Sequence, residues 1–322
     1  MLAILIGLGP AAAFIALVLI VIEITFSFEN AIINAKVLAT LSPFWQKIFL
    51  TIGIAIAIFG MRIVFPIAIV AITAAIPWQS VLQLALERPD EYAEALEKAH
   101  VSIAAFGGMF LVMLFFHFFL DPKRKVLWLE RIEGPLQRIA KPWTYIPVAA
   151  VVLLVISALP FNTHKQETFV AGFVGFALYL LIHGLAAFFG KTQDITKGAA
   201  KTGMAGFIGF MYLEVLDASF SFDGVIGAFA VTNSVILIAA GLGVGAVWVR
   251  SLTVFMVRRK ILRSYRFLEH GAHYTIGVLA TVLLASLFVH IPELIAGIAG
   301  IILIGSSILA SVAANKAQLK KS

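Results

Sequence analysis

The sequence predicts an all-α polytopic membrane protein of about nine transmembrane helices built as an inverted-topology repeat. Three observations predict it. Of 322 residues 61% are apolar and only 13% charged, against about 45–50% and about 25% in soluble domains. The apolar residues fall into runs long enough to cross a bilayer. A set of polar motifs also recurs in the same order in the two halves. The chain has no cysteine, which excludes disulfide frameworks, thiolate zinc sites and iron–sulfur clusters and leaves oxygen or imidazole to bind any metal.

A spanning helix needs about 20 mostly apolar residues. Reading between charge clusters places spans at roughly 10–41, 44–76, 99–120, 144–160, 168–189, 202–233, 235–257, 272–290 and 292–312. The N-terminus lacks a basic leader region and its apolar stretch around Pro10 runs into the first span, so no cleavage is expected. Six basic residues lie between Asp121 and Pro142 and five between Arg258 and Gly271, and the positive-inside rule makes both segments cytoplasmic. Alternation then leaves 19 basic residues inside, three outside and two within spans. This asymmetry expects an inner-membrane protein with the N-terminus outside and the C-terminus in the cytoplasm. The net charge of +7 therefore requires no nucleic-acid partner, because anchoring on anionic lipid accounts for it. The acidic stretch from Glu87 to Lys98 is expected to form a short outer helix with a solvated face.

The repeat is carried by three correspondences. EITFSFEN from Glu23 matches DASFSFDG from Asp217, with Phe26, Ser27 and Phe28 identical to Phe220, Ser221 and Phe222. One span later, Arg62 and Arg250 are the only basic residues deep in apolar sequence. Next, Ala99, His100 and His117 correspond to Ala272, His273 and His290. The copies are offset by five spans, and an odd offset inverts direction. The single membrane domain then divides into a first copy at 10–120, a cytoplasmic loop with two connecting helices at 121–201, an inverted second copy at 202–290 and a last helix with its tail at 291–322. Secondary transporters use this design, with sites near the midplane where the repeats meet, often on broken helices.

Glu23, Glu29, Glu214, Asp217 and Asp223 fall within the motif spans. Each charge at a helix centre costs about 2.5–3.5 kcal/mol against lipid, so these groups must face one another, water or an ion. At about 100° per residue, Glu23, Ser27, Asn30 and Asn34 share one face, as do Glu214, Asp217, Ser221 and Gly224. Glu29 and Asp223 would point about 120° away on a regular helix. Either they meet a different partner, such as an arginine, or the span is broken or strongly tilted there, which Gly224 and Gly227 would permit in the second copy more readily than the glycine-free first copy. Five carboxylates against two guanidiniums leave a formal charge of minus three, which a divalent cation and a proton would neutralise. Carboxylate, hydroxyl and amide oxygens suit hard ions such as Mn²⁺, Mg²⁺ or Ca²⁺. The blander reading makes these groups buried ion pairs that only fix helix packing.

The histidines allow a different class of function. In the inverted repeat His100 would lie near His290 and His117 near His273, and two bis-histidine haems can be imagined. Histidines at helix ends in the polar interface are the simpler account, with His183 hydrogen-bonded in the core.

At these residues the chain resembles the TerC family of integral membrane proteins, whose early helix carries a motif of the type E-x-x-L-S-x-D-N and whose second half carries a related aspartate motif. It looks closest to a branch labelled only as a domain of unknown function. The resemblance runs from the first span to the eighth. It implies a multipass transporter of the LysE-type superfamily, with export of a metal cation, Mn²⁺ foremost, as the family role and tellurite resistance as the historical label. By position, Glu23, Ser27, Glu29 and Asn30 match the first motif and Asp217, Ser221, Asp223 and Gly224 the second. Glu29 stands where the family has Asp, and Gly224 where it has a side chain able to ligate.

The expectation is a transporter rather than an enzyme, with no catalytic residues and no permanently bound cofactor. Its metal ligands would be Glu23, Ser27, Glu29, Asn30, Glu214, Asp217, Ser221 and Asp223, with Arg62 and Arg250 balancing charge when the ion leaves. Its partners would be the bilayer, the metal substrate and counter-flowing protons. The alternatives are a haem or redox protein within the membrane and a non-transporting scaffold in a stress or tellurite-resistance complex.

Overall fold

The structure, a computed structural model, describes residues 2–192, 200–229, 231, 232, 234–289, 291, 292 and 294–319, the side chains of residues 2, 3, 26, 190–192, 221–223, 226, 294 and 319 excepted. Among the described residues every regular element is helical. The first motif span is α1 (Leu2–Phe26) followed by α2 (Phe28–Leu38). The second is a chain of α3 (Pro43–Leu50), α4 (Ile52–Ala55), a π-helical segment (Ile56–Val64) and α5 (Phe65–Thr73). Then come α6 (Trp78–Glu87), α7 (Pro89–Lys98), α8 (His100–Phe119), α9 (Glu130–Ile139), α10 (Tyr145–Ala158) and α11 (Lys165–Thr192). The second half holds α12 (Gly203–Phe229), α13 (Val235–Arg258), α14 (Ile261–Ser264), α15 (Leu268–Ala285) and α16 (Leu294–Leu319).

Among the described residues seven helices are long and apolar enough to cross a membrane, and the chain is a multi-pass membrane protein. The fourth and eighth expected spans fall on α10 and α15. The first has 14 residues, about 21 Å at 1.5 Å per residue. The second commits its first two turns to Glu269, His270 and His273. The acidic stretch forms α7, which buries Tyr92 and Leu96 and exposes Asp90, Glu91, Glu94 and Glu97. Near the N-terminus Gly9 takes φ +86° just before Pro10, a backbone region that glycine enters without steric cost.

Two compact units are present. One comprises residues 1–31, 40–100 and 189–254, and the other residues 32–39, 101–188 and 255–322. In the first unit the motif helices run antiparallel. Leu41 lies where a Cβ on Gly209 would stand, Asn30 bonds Asp217, and Glu23 lies beside Gly224, so rising numbers in one helix meet falling numbers in the other. The arginine-bearing segments are antiparallel as well, since Gly53 faces Arg250 and Ile58 faces Gly243. Helices α1 and α13 instead run in the same direction, with Leu19 on Gly241 and Glu23 on Gly245. Small residues let helix backbones approach closely in membranes, and Gly241 and Gly245 serve that purpose here.

The second unit closes α15 against α16 in an antiparallel pair. The Phe267 N–H donates to Ser311 Oγ at 2.9 Å and Asn315 Nδ2 donates to the Ser264 carbonyl at 2.9 Å. Glu133 on α9 is fully buried. It accepts from the backbone N–H of Leu129 at 3.2 Å and the Tyr274 hydroxyl at 3.2 Å, and pairs with Arg124 at 2.8 Å. This carboxylate fastens the 121–142 loop to α15. His270 joins it, its Nε2–H donating to the Val126 carbonyl at 2.9 Å, while its Nδ1 is buried without a partner.

Two predictions follow from this packing. A Cβ on Gly245 would come 2.5 Å from Glu23 Cγ, while one on Gly305 would meet nothing within 4 Å. Gly245→Ala should cost about 1–3 kcal/mol of stability, and Gly305→Ala should cost none, as read by thermal unfolding in detergent. Burial holds His270 below the ordinary imidazole range, opposed by the Glu133 carboxylate. A base with a depressed folded pKa contributes stability above its ordinary value of about 6.5 and loses it as pH falls. Amide exchange in the 124–133 segment, corrected for intrinsic rate, should therefore rise between pH 7.5 and pH 5.5 in wild type.

Candidate functional site

Residue Glu23 is 5% exposed near the end of α1, where Ser27 interrupts the regular helix before α2. Its Oε1 accepts from Arg62 Nη2 at 2.6 Å and from Ser27 Oγ at 3.3 Å. Its stem rests where Gly245 has no side chain, and a Cβ on Gly224 would come 3.3 Å from Oε2. Arg62 comes from the π-helical segment. A widened helical turn breaks the regular ladder of carbonyl partners, and such turns are frequent at functional sites. Arg62 Nη1 donates to the Ala57 carbonyl of that same turn at 2.5 Å, so the irregular backbone and the guanidinium satisfy each other.

The second copy repeats the design. Helix α12 presents Glu214 and Asp217 one turn apart, at 3% and 4% exposure. Arg250 on α13 donates to both oxygens of Glu214 at 2.9 Å and to Asp217 Oδ2 at 2.8 Å. It also donates to the Phe49 carbonyl at 3.1 Å and lies 4.3 Å above the Phe49 ring. Gly53 makes this possible, because a Cβ there would stand 2.9 Å from Glu214 Oε1 and closer still to Arg250. The two copies meet through Asn30, whose Nδ2 donates to Asp217 Oδ1 at 2.8 Å. Each motif's first acid is thus paired with the arginine of its own copy, and an amide from one motif bonds the acid of the other.

Of the expected ligands, Glu23, Ser27, Asn30, Glu214 and Asp217 come together in this network, and Arg62 and Arg250 are its cations. Glu29 is 6% exposed and joins no ion pair among the described residues. The side chains of Ser221 and Asp223 lie outside the described residues. In the first copy the helix loosens only at Ser27, where the Ser27 N–H to Glu23 carbonyl bond at 3.1 Å and the Ala31 N–H to Ser27 carbonyl bond at 3.2 Å keep the ladder continuous, and in the second copy α12 runs through Gly224 and Gly227. Sequence reasoning missed Phe49, Gly53 and Gly245. Only the spacing of glycines in GLGVG offered a signal for Gly245. Among the described residues no three His, Asp or Glu side chains are grouped to hold one metal ion.

Histidines occupy packed positions in the second unit. His117 Nδ1 is 2.6 Å from the Tyr179 hydroxyl, its ring stacks on Tyr145 at 4.4 Å, and His183 stands edge-on at 4.2 Å. His273 donates from Nδ1 to the Glu269 carbonyl at 2.8 Å and stacks on Phe118 at 3.7 Å. His290 lies outside the described residues.

Breaking a buried ion pair by removing one partner costs about 3–5 kcal/mol, because the other charge is left buried and unpaired. Arg250→Met should lose stability on that scale, and Arg250→Met combined with Glu214→Gln and Asp217→Asn should recover most of it. Thermal unfolding in detergent reads both, and equal loss in the single and triple variants would contradict the pairing.

No characterised protein and no solved structure matches the chain. Residues 28–318 match the family described as "Protein of unknown function (DUF475)", a stretch that takes in both arginine helices, all of the second motif and the first motif from Phe28 onward. The chain belongs to the DUF475 family.

Proposed function

We propose that the protein is a secondary transporter that exports a divalent metal cation, Mn²⁺ first among candidates, across the cell's inner membrane. The N-terminus is outside and the C-terminus cytoplasmic, as the distribution of Lys and Arg favours. The observation that carries the reading is the Asn30–Asp217 bond at 2.8 Å. It unites the acids of two antiparallel copies in one buried network, the arrangement that inverted-repeat transporters use for their substrate.

Charge supports the same reading. Among the described residues four buried carboxylates (Glu23, Glu29, Glu214 and Asp217) accompany the guanidiniums of Arg62 and Arg250. With Asp223 the five acids of the motif spans leave a formal charge of minus three, which one divalent cation and one proton would neutralise. The oxygen donors suit a hard ion, and the TerC resemblance favours manganese among such ions. The arginines act as an internal substitute for the substrate. When no ion is bound they hold the carboxylates together, and the ion enters as they withdraw. Loss of the ion in exchange for protons on the same carboxylates would drive export from the proton gradient.

A second reading, a non-transporting scaffold whose ion pairs only fix packing, is favoured by one observation: the bidentate grip of Arg250 on Glu214. Calorimetric titration separates the two. Purified wild type should bind Mn²⁺ saturably with proton release. Glu29→Gln, which breaks no ion pair, should weaken binding at least tenfold, and Asp217→Asn should abolish it. Cells lacking the protein should accumulate Mn²⁺, with Asp217→Asn unable to restore efflux. A folded wild type that binds none of Mn²⁺, Mg²⁺, Ca²⁺ and Zn²⁺ would overturn the transporter reading.

A further inference from the structure

The second unit contains a groove of about 660 Å³ between α8, α10 and α15, lined by residues that include Val112, Phe115, Val152, Ile156, Thr281 and Phe288. On α15 it is lined by the small residues Ala280, Thr281 and Ala285, while Gly277 admits the Phe115 ring. From Tyr274 to Ala285 it follows α15 for about 16 Å, close to the roughly 15 Å of one hydrocarbon leaflet.

Its polar groups are already engaged. Thr281 Oγ1 donates to the Gly277 carbonyl at 2.7 Å, and the Tyr274 hydroxyl donates to Glu133 at 3.2 Å. An occupant therefore finds no hydrogen-bond partner along the floor and must be hydrocarbon there. The Tyr274 end differs. Trp128 stands 5.8 Å from the Tyr274 ring, Phe267 stacks on Trp128 at 6.5 Å, and the Arg266 guanidinium lies 4.9 Å above Phe267. Arg266 is exposed. An aromatic rim ending in a free cation is the pattern of a membrane–water interface. Nearby in sequence, α9 exposes Arg131 and Arg138 along one stripe and Ile132 and Ile139 along the next, about 100° around the helix, so basic and apolar side chains lie side by side on its outer surface as on a helix among lipid headgroups.

We infer that the groove holds an acyl chain of one anionic phospholipid, with its phosphate at the Arg266 rim. Neutral lipid would satisfy the apolar floor but not the cations, and a free anion would satisfy the cations but not the floor.

Native mass spectrometry of the detergent-purified protein with phosphatidylglycerol or phosphatidylcholine tests this. Wild type should retain one phosphatidylglycerol in preference to phosphatidylcholine. Arg266→Gln should cut that preference about fivefold while leaving phosphatidylcholine retention unchanged. Thr281→Trp, or Ile156→Trp if the first does not fold, should fill the groove and lose both lipids. Millimolar inorganic phosphate should not displace the lipid. Equal retention of the two lipids by wild type, retention by a folded groove-filled variant, or displacement by phosphate would each overturn the proposal.

Discussion

The structure turns on a constraint of the low-dielectric interior: a carboxylate removed from water must find a cation or donors, or take up a proton. Arg250 meets it for two acids at once, gripping Glu214 with both terminal nitrogens and reaching Asp217 with one of them. Arg62 meets it for Glu23. Everything around these pairs serves the close approach they require. Gly53 leaves room for the Arg250–Glu214 pair, Gly245 for the stem of Glu23, and the Phe49 carbonyl takes a further guanidinium proton. The π-helical turn that carries Arg62 exposes a carbonyl that the same side chain then bonds.

Such pairing is a poor device for stability alone, since apolar side chains of similar volume often pack as well or better. Its merit is reversibility. A guanidinium on a packed helix delivers one positive charge at a fixed place, and a divalent ion delivers two. In the proposed function this network trades one set of counter-charges for the other without leaving carboxylates bare. In the proposed cycle the arginines compete with the substrate, so binding is weakened enough for release. Glu29, buried beside this network without an ion pair, is the acid best placed to receive an ion before the arginines yield.

Much of the architecture was legible because apolar run length and Lys/Arg placement are local properties. Helices α8, α11, α13 and α16 lie close to their expected limits for that reason. The repeat was legible through Phe-Ser-Phe and the acids around it, and the arginine on the next span pointed to the partner of each motif. What escaped depends on tertiary contact. Nothing in IAIFGMRIV announces a π-helical turn, and nothing in TIGIA marks Gly53 as the residue whose missing Cβ admits Arg250. Whether the motif spans are broken was not legible: a glycine permits a break without imposing one, and α12 runs on through Gly224 and Gly227 while the first copy keeps its helical bonds across Ser27. Helix α15 was read as an apolar span from Ala272 onward, but its first turns are spent docking the 121–142 loop through His270 and Tyr274.

In the proposed cycle a divalent cation takes the place of guanidinium on the acids of the two motifs. Infrared difference spectroscopy of the protein reconstituted in lipid reads this exchange, because carboxylate stretching bands shift when the partner changes from arginine to a metal ion. Adding Mn²⁺ should shift carboxylate and guanidinium bands together, with the Asp217 component missing in Asp217→Asn. Unchanged bands at saturating Mn²⁺, in protein whose amide spectrum is native, would contradict it.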